Sequence, residues 1–375
     1  MKFSDVIGQQ KAKDQLIQMI KSERIPHALL FSGPEGSGTL SLAIAFAQLI
    51  NCKDSSNGEV CGICSSCLKF NKLIHPDLHF IFPVNTTKKF TKNPTCDDLL
   101  PSWRELFSEQ TYFEINDWYD FIGLENKQGL IGKNESEAVL RKLSLKSFES
   151  DYKTMIIWMP ELMNQTAANM LLKLIEEPPS NTFIILVSKN SEQILPTITS
   201  RTQLIRLSRI DNESLKDVLQ KELNIDTNRA DEIVHCAEGN YIACKKIIQA
   251  SEEEAFFLEL FIRIMRLTYG RKITEINKWV DDVSSLGRER IKQFITYCLR
   301  MIRENFILNV HHDKLTHFSK EEKDFSIKFH PFINGNNVIQ ITSELNDVFR
   351  DIERNGYARL ILLDFSLKLM KLIKN

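Results

Sequence analysis

Two stretches of this chain carry residue types at spacings suited to chemistry. The first is FSGPEGSGTLSLA, from Phe31 to Ala43. A phosphate-binding loop reads G-x-x-x-x-G-K-[ST]: backbone N–H groups cradle phosphate, the Lys neutralises its charge, and the hydroxyl holds magnesium. Gly33 and Gly38 stand at that spacing, with Gly36 between them. Thr39 takes the Lys position and Leu40 the Ser/Thr position, while Ser41 comes one residue too late. The loop keeps the glycines of a nucleotide cradle and lacks both side chains that grip. Its bare N–H groups still suit an anion.

The second stretch is CKDSSNGEVCGICSSC, in which Cys52, Cys61, Cys64 and Cys67 are spaced C-x8-C-x2-C-x2-C. Four thiolates complete a tetrahedral zinc site, and a site closed by protein ligands is structural and not catalytic. Without a metal the stretch is a loop of free thiols; four cysteines in so short a span favour the metal. Cys96, Cys236, Cys244 and Cys298 are scattered and are expected to serve as packing residues.

The elements around these residues follow from hydrophobic periodicity. DVIGQQKAKDQLIQMIKSE has helical spacing over its second half, and HALLFSG is a short apolar run ending in Gly. TLSLAIAFAQLI continues as an apolar helix, so the glycines lie between a strand and a helix, as a phosphate loop requires. KTMIIWM (153–159) and TFIILVS (182–188) read as buried strands, and ESEAVLRKLSLKSFES (135–150) as an amphipathic helix. Asn164 is the expected N-cap of the helix before Pro178-Pro179. Alternation of strands and helices predicts a parallel, helix-covered sheet for residues 1–207. Residues 208–250 read as a small helical unit and 251–375 as a further helical region, with Phe256, Phe257 and Phe261 at core spacing. The polar, Pro-containing segment near 85–130 reads as an insertion or long loop, and SKEEKDF as a solvated face or loop.

Composition narrows the classes further. The chain has 375 residues, 43% of them hydrophobic, and 48 basic against 49 acidic residues give a formal charge of -1. Such balance does not suit a strongly basic nucleic-acid coat. No apolar run reaches a membrane span and no signal peptide is visible, so a cytoplasmic protein with reduced cysteines and no membrane partner is expected. Four His residues invite a ligand reading. His75 and His79 are read as structural, since four thiolates already fill a tetrahedral site. His311 and His312 are adjacent and face different ways.

NMLLKLIEEPPSNTFIILVSKNSEQILPTITSRTQLIRL resembles the ATPase module of the clamp-loader family of bacterial DNA polymerase III. FSDVIGQ, IPHALLFSGPEGSG, the four-cysteine stretch and HPDLHFIFP agree with it upstream, over roughly residues 1–250. The resemblance implies an α/β P-loop AAA+ ATPase-like domain (1–207) with a zinc module at 52–67. It further implies a small helical lid (208–250) and an all-helical collar (251–375). Gamma/tau-type members hydrolyse ATP, whereas delta-prime-type members do not. The implied metal-and-water pair of acidic residues falls on Trp158 and Met159, or on Met159 and Pro160; only Glu161 is near. The implied phosphate-sensing Arg of the lid reads GNYI, with Ile242 in its place. Val6, Ile7 and Gly8 match the family's adenine-contacting box but, with no phosphate grip, are read as packing.

One family element is intact. Ser200 and Arg201, in LPTITSR, match the pair that reaches across an interface into a neighbour's ATP site, where an Arg stabilises charge on the transferred phosphate. Taken alone, Arg201 would read as a solvated helix-end residue; its surroundings favour the trans role. The resemblance thus implies a delta-prime-like subunit with structural Zn2+ and no ATP hydrolysis of its own. Its implied partners are gamma/tau and delta subunits, a sliding clamp, and primed DNA through the hetero-oligomer. Two competitors follow from the same residues: an active gamma/tau-like ATPase using Ser41 or Glu161, and a zinc-shaped DNA reader. Near-neutral charge argues against the reader.

Overall fold

The computed structural model describes residues 1–56, 58–87, 90, 94–124, 127–310 and 318–373. His311 and His312, with parts of the segment 85–130, lie outside the described residues. The chain falls into two compact units, Met1–Ile247 and Ile248–Asn375.

The first unit runs α1 (Gln10–Lys21), β1 (Ala28–Ser32), α2 (Thr39–Ile50), α3 (Ser65–Asn71), β2 (Leu78–Ile81), α4 (Cys96–Glu109), α5 (Ile115–Phe121) and α6 (Lys133–Ser144). It continues with β3 (Lys153–Trp158), α7 (Gln165–Glu176), β4 (Thr182–Ser188), α8 (Pro196–Thr199), β5 (Gln203–Arg206), α9 (Asn212–Leu223) and α10 (Thr227–Ala237). The five strands form one sheet in the order β2-β3-β4-β1-β5, every pairing parallel. All residues of β1, β3 and β4 are buried, so both faces of the sheet are covered, as a parallel sheet demands.

Register fixes what meets at the carboxyl end of the sheet. Phe31 pairs with Val187 on one side and Ile205 on the other, and Trp158 pairs with Val187. The Gly33 N–H donates to the Ser188 carbonyl (3.3 Å) and the Met159 N–H to the Val187 carbonyl (2.9 Å). The loops after β1, β3 and β4 therefore lie side by side, where open α/β sheets place their ligands.

Asn164 caps α7 as expected, its side chain accepting the Ala167 N–H at 2.8 Å. The helix expected over 135–150 stops at Ser144. Beyond it, the N–H groups of Phe148, Glu149 and Ser150 all donate to the Asp77 carboxylate (2.7, 2.8 and 2.9 Å), which holds that stretch as a loop.

The segment near 85–130 is not simply a loop. A capping box between Thr95 and Asp98 starts α4, whose Cys96, Leu99, Trp103, Leu106 and Phe107 are buried despite Pro101 within the helix. Trp103 stacks on Phe82 (centroids 4.4 Å apart, 8° between planes) and meets Trp118 and Phe113 edge-on at 5.2 and 5.4 Å. Trp158, at the end of β3, closes the cluster 5.1 Å from Trp103. The Trp118 indole N–H donates to the Pro83 carbonyl (2.9 Å).

The second unit, among its described residues, is helical. α11 (Tyr241–Gly270) contains the division between the units; α12 (Ile273–Ser284), α13 (Arg288–Asn309), α14 (Lys320–Phe329), α15 (Val338–Glu353) and α16 (Ala358–Leu372) follow. Phe257 and Phe261 lie in its core with Trp279 and Phe294, and Phe256 is partly buried against them. SKEEKDF is not a wholly solvated face. Glu322 is buried and accepts the Tyr297 hydroxyl (2.8 Å) and the Arg300 guanidinium (2.5 Å), because its capping box with Ser319 turns it inward.

Removing a fully buried Trp ring typically costs about 3–5 kcal/mol, and Trp103→Ala is expected to destabilise the first unit by that order. Urea unfolding followed by circular dichroism measures it. A change below about 1 kcal/mol would mean that the aromatic cluster does not anchor the segment to the sheet.

Candidate functional site

The loop from Gly33 to Gly38 carries the chain from β1 into α2. Gly36 and Gly38 have φ of +73° and +85°, a backbone region open to glycine and costly for other residues. Space forbids a side chain as well. A Cβ on Gly36 would collide with the Asn240 side-chain oxygen, and one on Gly38 would lie 2.8 Å from the Tyr112 hydroxyl. Asn240 is fixed there because its Oδ1 accepts the N–H groups of Ile242 and Ala243 (2.9 and 3.1 Å) at the start of α11.

Over this loop lies a cleft whose open space is only about 50 Å³, far below the several hundred of an ordinary small-molecule site. Its walls include Thr39, Leu40, Ser41, Trp158, Met159 and Ile242, the positions where the resemblance implies nucleotide-binding groups. Trp158 and Met159 are buried, and their apolar side chains offer no oxygen ligand to a metal ion. Ser41 is committed elsewhere: its hydroxyl donates to the Thr111 carbonyl at 2.7 Å. Two carboxylates do reach the cleft, Glu35 and Glu114, and each is paired, with Lys189 (3.2 Å) and Lys246 (3.0 Å). Glu161 is not among the described residues that line the cleft, and burial pushes its carboxyl above the ordinary range.

The residue that periodicity and motif spacing missed is Tyr112. It is 5% exposed, and its hydroxyl accepts the Ile7 N–H at 2.9 Å. Burial holds its phenol above the usual value, so it stays neutral. Ile7 thus does more than pack, and Lys13 supports the same turn by donating to the Val6 carbonyl (2.6 Å). Nothing local in the sequence marks Tyr112, because its partners lie 105 residues upstream and in the loop glycines.

Arg201 follows the short α8 and does not line the chain's own cleft among the described residues. Its Nε pairs with Glu176 (2.9 Å) and its Nη1 donates to the Thr197 carbonyl (3.1 Å) and more weakly to Ser200 Oγ (3.4 Å). The side chain remains 43% exposed, so the guanidinium is oriented yet reachable from outside.

The four cysteines converge. Their sulfurs all lie within 4.8 Å of one another; Cys52–Cys61, Cys61–Cys67 and Cys52–Cys67 are 3.6, 3.9 and 3.5 Å apart. A tetrahedron of sulfurs about 2.3 Å from a central ion has edges of about 3.8 Å, so the set fits one metal ion. Backbone N–H groups of Cys61, Cys64 and Cys67 donate to the sulfurs of Cys52, Cys61 and Cys64, each at 3.4 Å, which favours thiolates. In the absence of an ion the sulfurs do not ionise alike: burial pushes Cys67 up to about 12. Cys64 is brought down to about 6 against its own burial, by N–H donors and neighbouring thiols. An all-sulfur tetrahedral set could bind zinc.

His75 and His79 serve the fold. The His75 Nδ1 accepts the Asp77 N–H (3.2 Å), which leaves Nε2 to donate to Ser150 Oγ (3.1 Å), and its ring packs on Phe70. Burial lowers His79 to about 4.

The family described as "DNA polymerase III, delta subunit" matches residues 8–211. The chain is 27% identical over 204 residues to DNA polymerase III subunit delta' of Bacillus subtilis (strain 168), covering 54% of this chain and 49% of that one. It is 26% identical over 243 residues to DNA polymerase III subunit tau of the same organism, covering 64% of this chain and 35% of that one. The chain therefore spans half or less of the length of these relatives. Among solved structures, a DNA polymerase III gamma subunit-related protein from Thermotoga maritima overlaps 96% of this chain and 99% of its own, at 14% identity and a TM-score of 0.33. No described helix is long and apolar enough to cross a membrane.

The sulfur cluster has a direct test. Cobalt(II) added to the metal-free, reduced chain is expected to give a tetrahedral thiolate charge-transfer band that saturates at about one ion per chain. Cys67→Ser is expected to weaken or remove that band. No band with the wild-type chain would mean that the four sulfurs do not act as one site.

Proposed function

This chain belongs to the DNA polymerase III delta subunit family, and from that membership we propose that it is a delta-prime-like subunit of a clamp loader. In this reading it does not hydrolyse ATP. The observation that carries the reading is the cleft over Gly33–Gly38: among the described residues lining it, Thr39 stands in the phosphate-gripping position, Glu35 and Glu114 are each paired with a lysine, and only about 50 Å³ of open space remains. Phosphoryl transfer depends on such charges being held in place, because positioning and electrostatic stabilisation are most of its catalysis.

Arg201 supplies the second half of the proposal. Held by Glu176 and Thr197 and still exposed, it is suited to enter the ATP site of an adjacent gamma/tau-type subunit, with Ser200 beside it. There its fixed charge would stabilise the transferring phosphate. The partners in this proposal are gamma/tau and delta subunits, and through the assembled hetero-oligomer a sliding clamp and primed DNA. Residues 208–250 then act as the lid, 251–375 as the collar through which subunits assemble, and the cysteine module as a structural zinc site. The complex works in the cytoplasm.

The reading is tested in a reconstituted loader with a gamma-type ATPase. Arg201→Ala is expected to lower DNA-stimulated turnover at the neighbouring site by about 10³-fold or more, the order an arginine finger supplies, with assembly and KM for ATP little changed. Unchanged turnover would remove the trans role. The isolated chain is expected to consume no ATP; ordinary turnover that disappears in Glu161→Gln would instead establish an active gamma/tau-like ATPase. Zinc analysis of the purified chain is expected to return about one ion.

A further inference from the structure

The space above the P-loop glycines is filled by the chain itself. Residues 110–114 join α4 to α5 and pass across the mouth of the loop. Their contacts reach four regions distant in sequence. The Tyr112 hydroxyl accepts the Ile7 N–H, and the Thr111 carbonyl accepts the Ser41 hydroxyl in the first turn of α2. The Tyr112 carbonyl and the Gln110 side chain accept the Lys245 ammonium (3.2 and 3.3 Å), and Glu114 pairs with Lys246, both lysines on α11. The Tyr112 ring meets Tyr241 edge-on at 5.1 Å, and Phe113 packs on Trp158 at 5.4 Å.

We propose that this cradle is a binding site with a resident ligand, the segment 110–114, and that Tyr112 stands in for a nucleobase. The inference deepens the non-hydrolysing reading above and rests on it. The chemistry of the pocket argues for that class of ligand. An N–H at Ile7 offers a hydrogen bond, Tyr241 offers an aromatic wall, and Gly38 offers close approach without a side chain. A flat ring bearing a hydrogen-bond acceptor satisfies all three. Tyr112 does so in cis and loses little freedom in staying there, since the helices on either side already order its backbone. It also touches both the start of α11, through Tyr241 and Lys245, and the loop at Gly38, two parts that are joined independently by the Tyr241 N–H donating to the Gly36 carbonyl (3.4 Å).

The experiment compares the full chain with Tyr112→Ala and Tyr112→Phe, using adenosine and Mg–ADP as probes in calorimetric titration and following backbone amide exchange. The wild type is expected to show no adenosine binding at about 1 mM, and Tyr112→Ala to bind it at least about tenfold more tightly than the wild type. Residues 6–9 and 241–246 should exchange faster in that variant. Tyr112→Phe keeps the ring and removes the hydroxyl; it is expected to stay closed to adenosine while the Ile7 amide exchanges faster. The proposal is overturned if the wild type binds adenosine or ADP as tightly as Tyr112→Ala, or if a folded Tyr112→Ala takes no adenosine. It is also overturned if Ile7 exchange is unchanged in Tyr112→Phe, an arm that decides the matter even when the Ala variant does not fold. Adenosine binding by the wild type would leave the trans action of Arg201 untouched. An inert Arg201→Ala would leave the Ile7 exchange result standing.

Discussion

The packing of Trp158 against Trp103 and Phe113 decides what the carboxyl end of this sheet can do. Trp158 ends β3, the strand next to β4, and so its ring projects where the loops of three parallel strands converge. A carboxylate there would need water or a metal around it; an indole needs apolar neighbours. Those neighbours come from α4 and the segment after it, which is drawn onto the sheet and carries Tyr112 with it. The indole at the end of β3 and the narrow cleft are thus one packing arrangement seen from two sides.

The cysteine module is tied into the same unit from below. Ser66 donates to the Asn51 carbonyl at the end of α2, and Asn51 reaches Thr154 on β3. The N-terminal ammonium bonds Gln48 on α2 and Asn71 at the end of α3. The module therefore braces the far end of the helix into which the Gly33–Gly38 loop leads, and holds the chain's first residues near it. A closed sulfur site suits that task, since it has no open coordination position for chemistry.

Much of this was legible in the sequence wherever the signal was local. HALLFSG, KTMIIWM and TFIILVS each hold an unbroken apolar run (ALLF, MIIWM and FIILV) and became the three fully buried strands. Asn164 before an amphipathic run is a cap by type and place. The cysteine spacing and the missing Lys after Gly38 are read directly from adjacent letters. The edge strands β2 and β5 were harder, being four residues each and in β5 largely exposed. α4 was hidden by Pro101 and by a polar approach, although Thr95, Asp98 and the apolar positions from Cys96 to Phe107 carried its signature. Tyr112 and Glu322 could not be found this way. What buries each is a partner distant in sequence, Ile7 for one and Tyr297 with Arg300 for the other.

The two glycines that answer to Asn240 and Tyr112 have a corollary for the proposed reading. Gly36 and Gly38 are required both by their own positive φ and by the side chains that face them. On the non-hydrolysing reading, putting Lys at 39 and Asp at 158 would not by itself build a working NTPase, because Tyr112 and the first turn of α11 would still occupy the ground. Each replacement makes the others harder to undo. On the non-hydrolysing reading such a site behaves as a ratchet: mutation moves it further from catalysis one step at a time, but a return path needs several simultaneous changes.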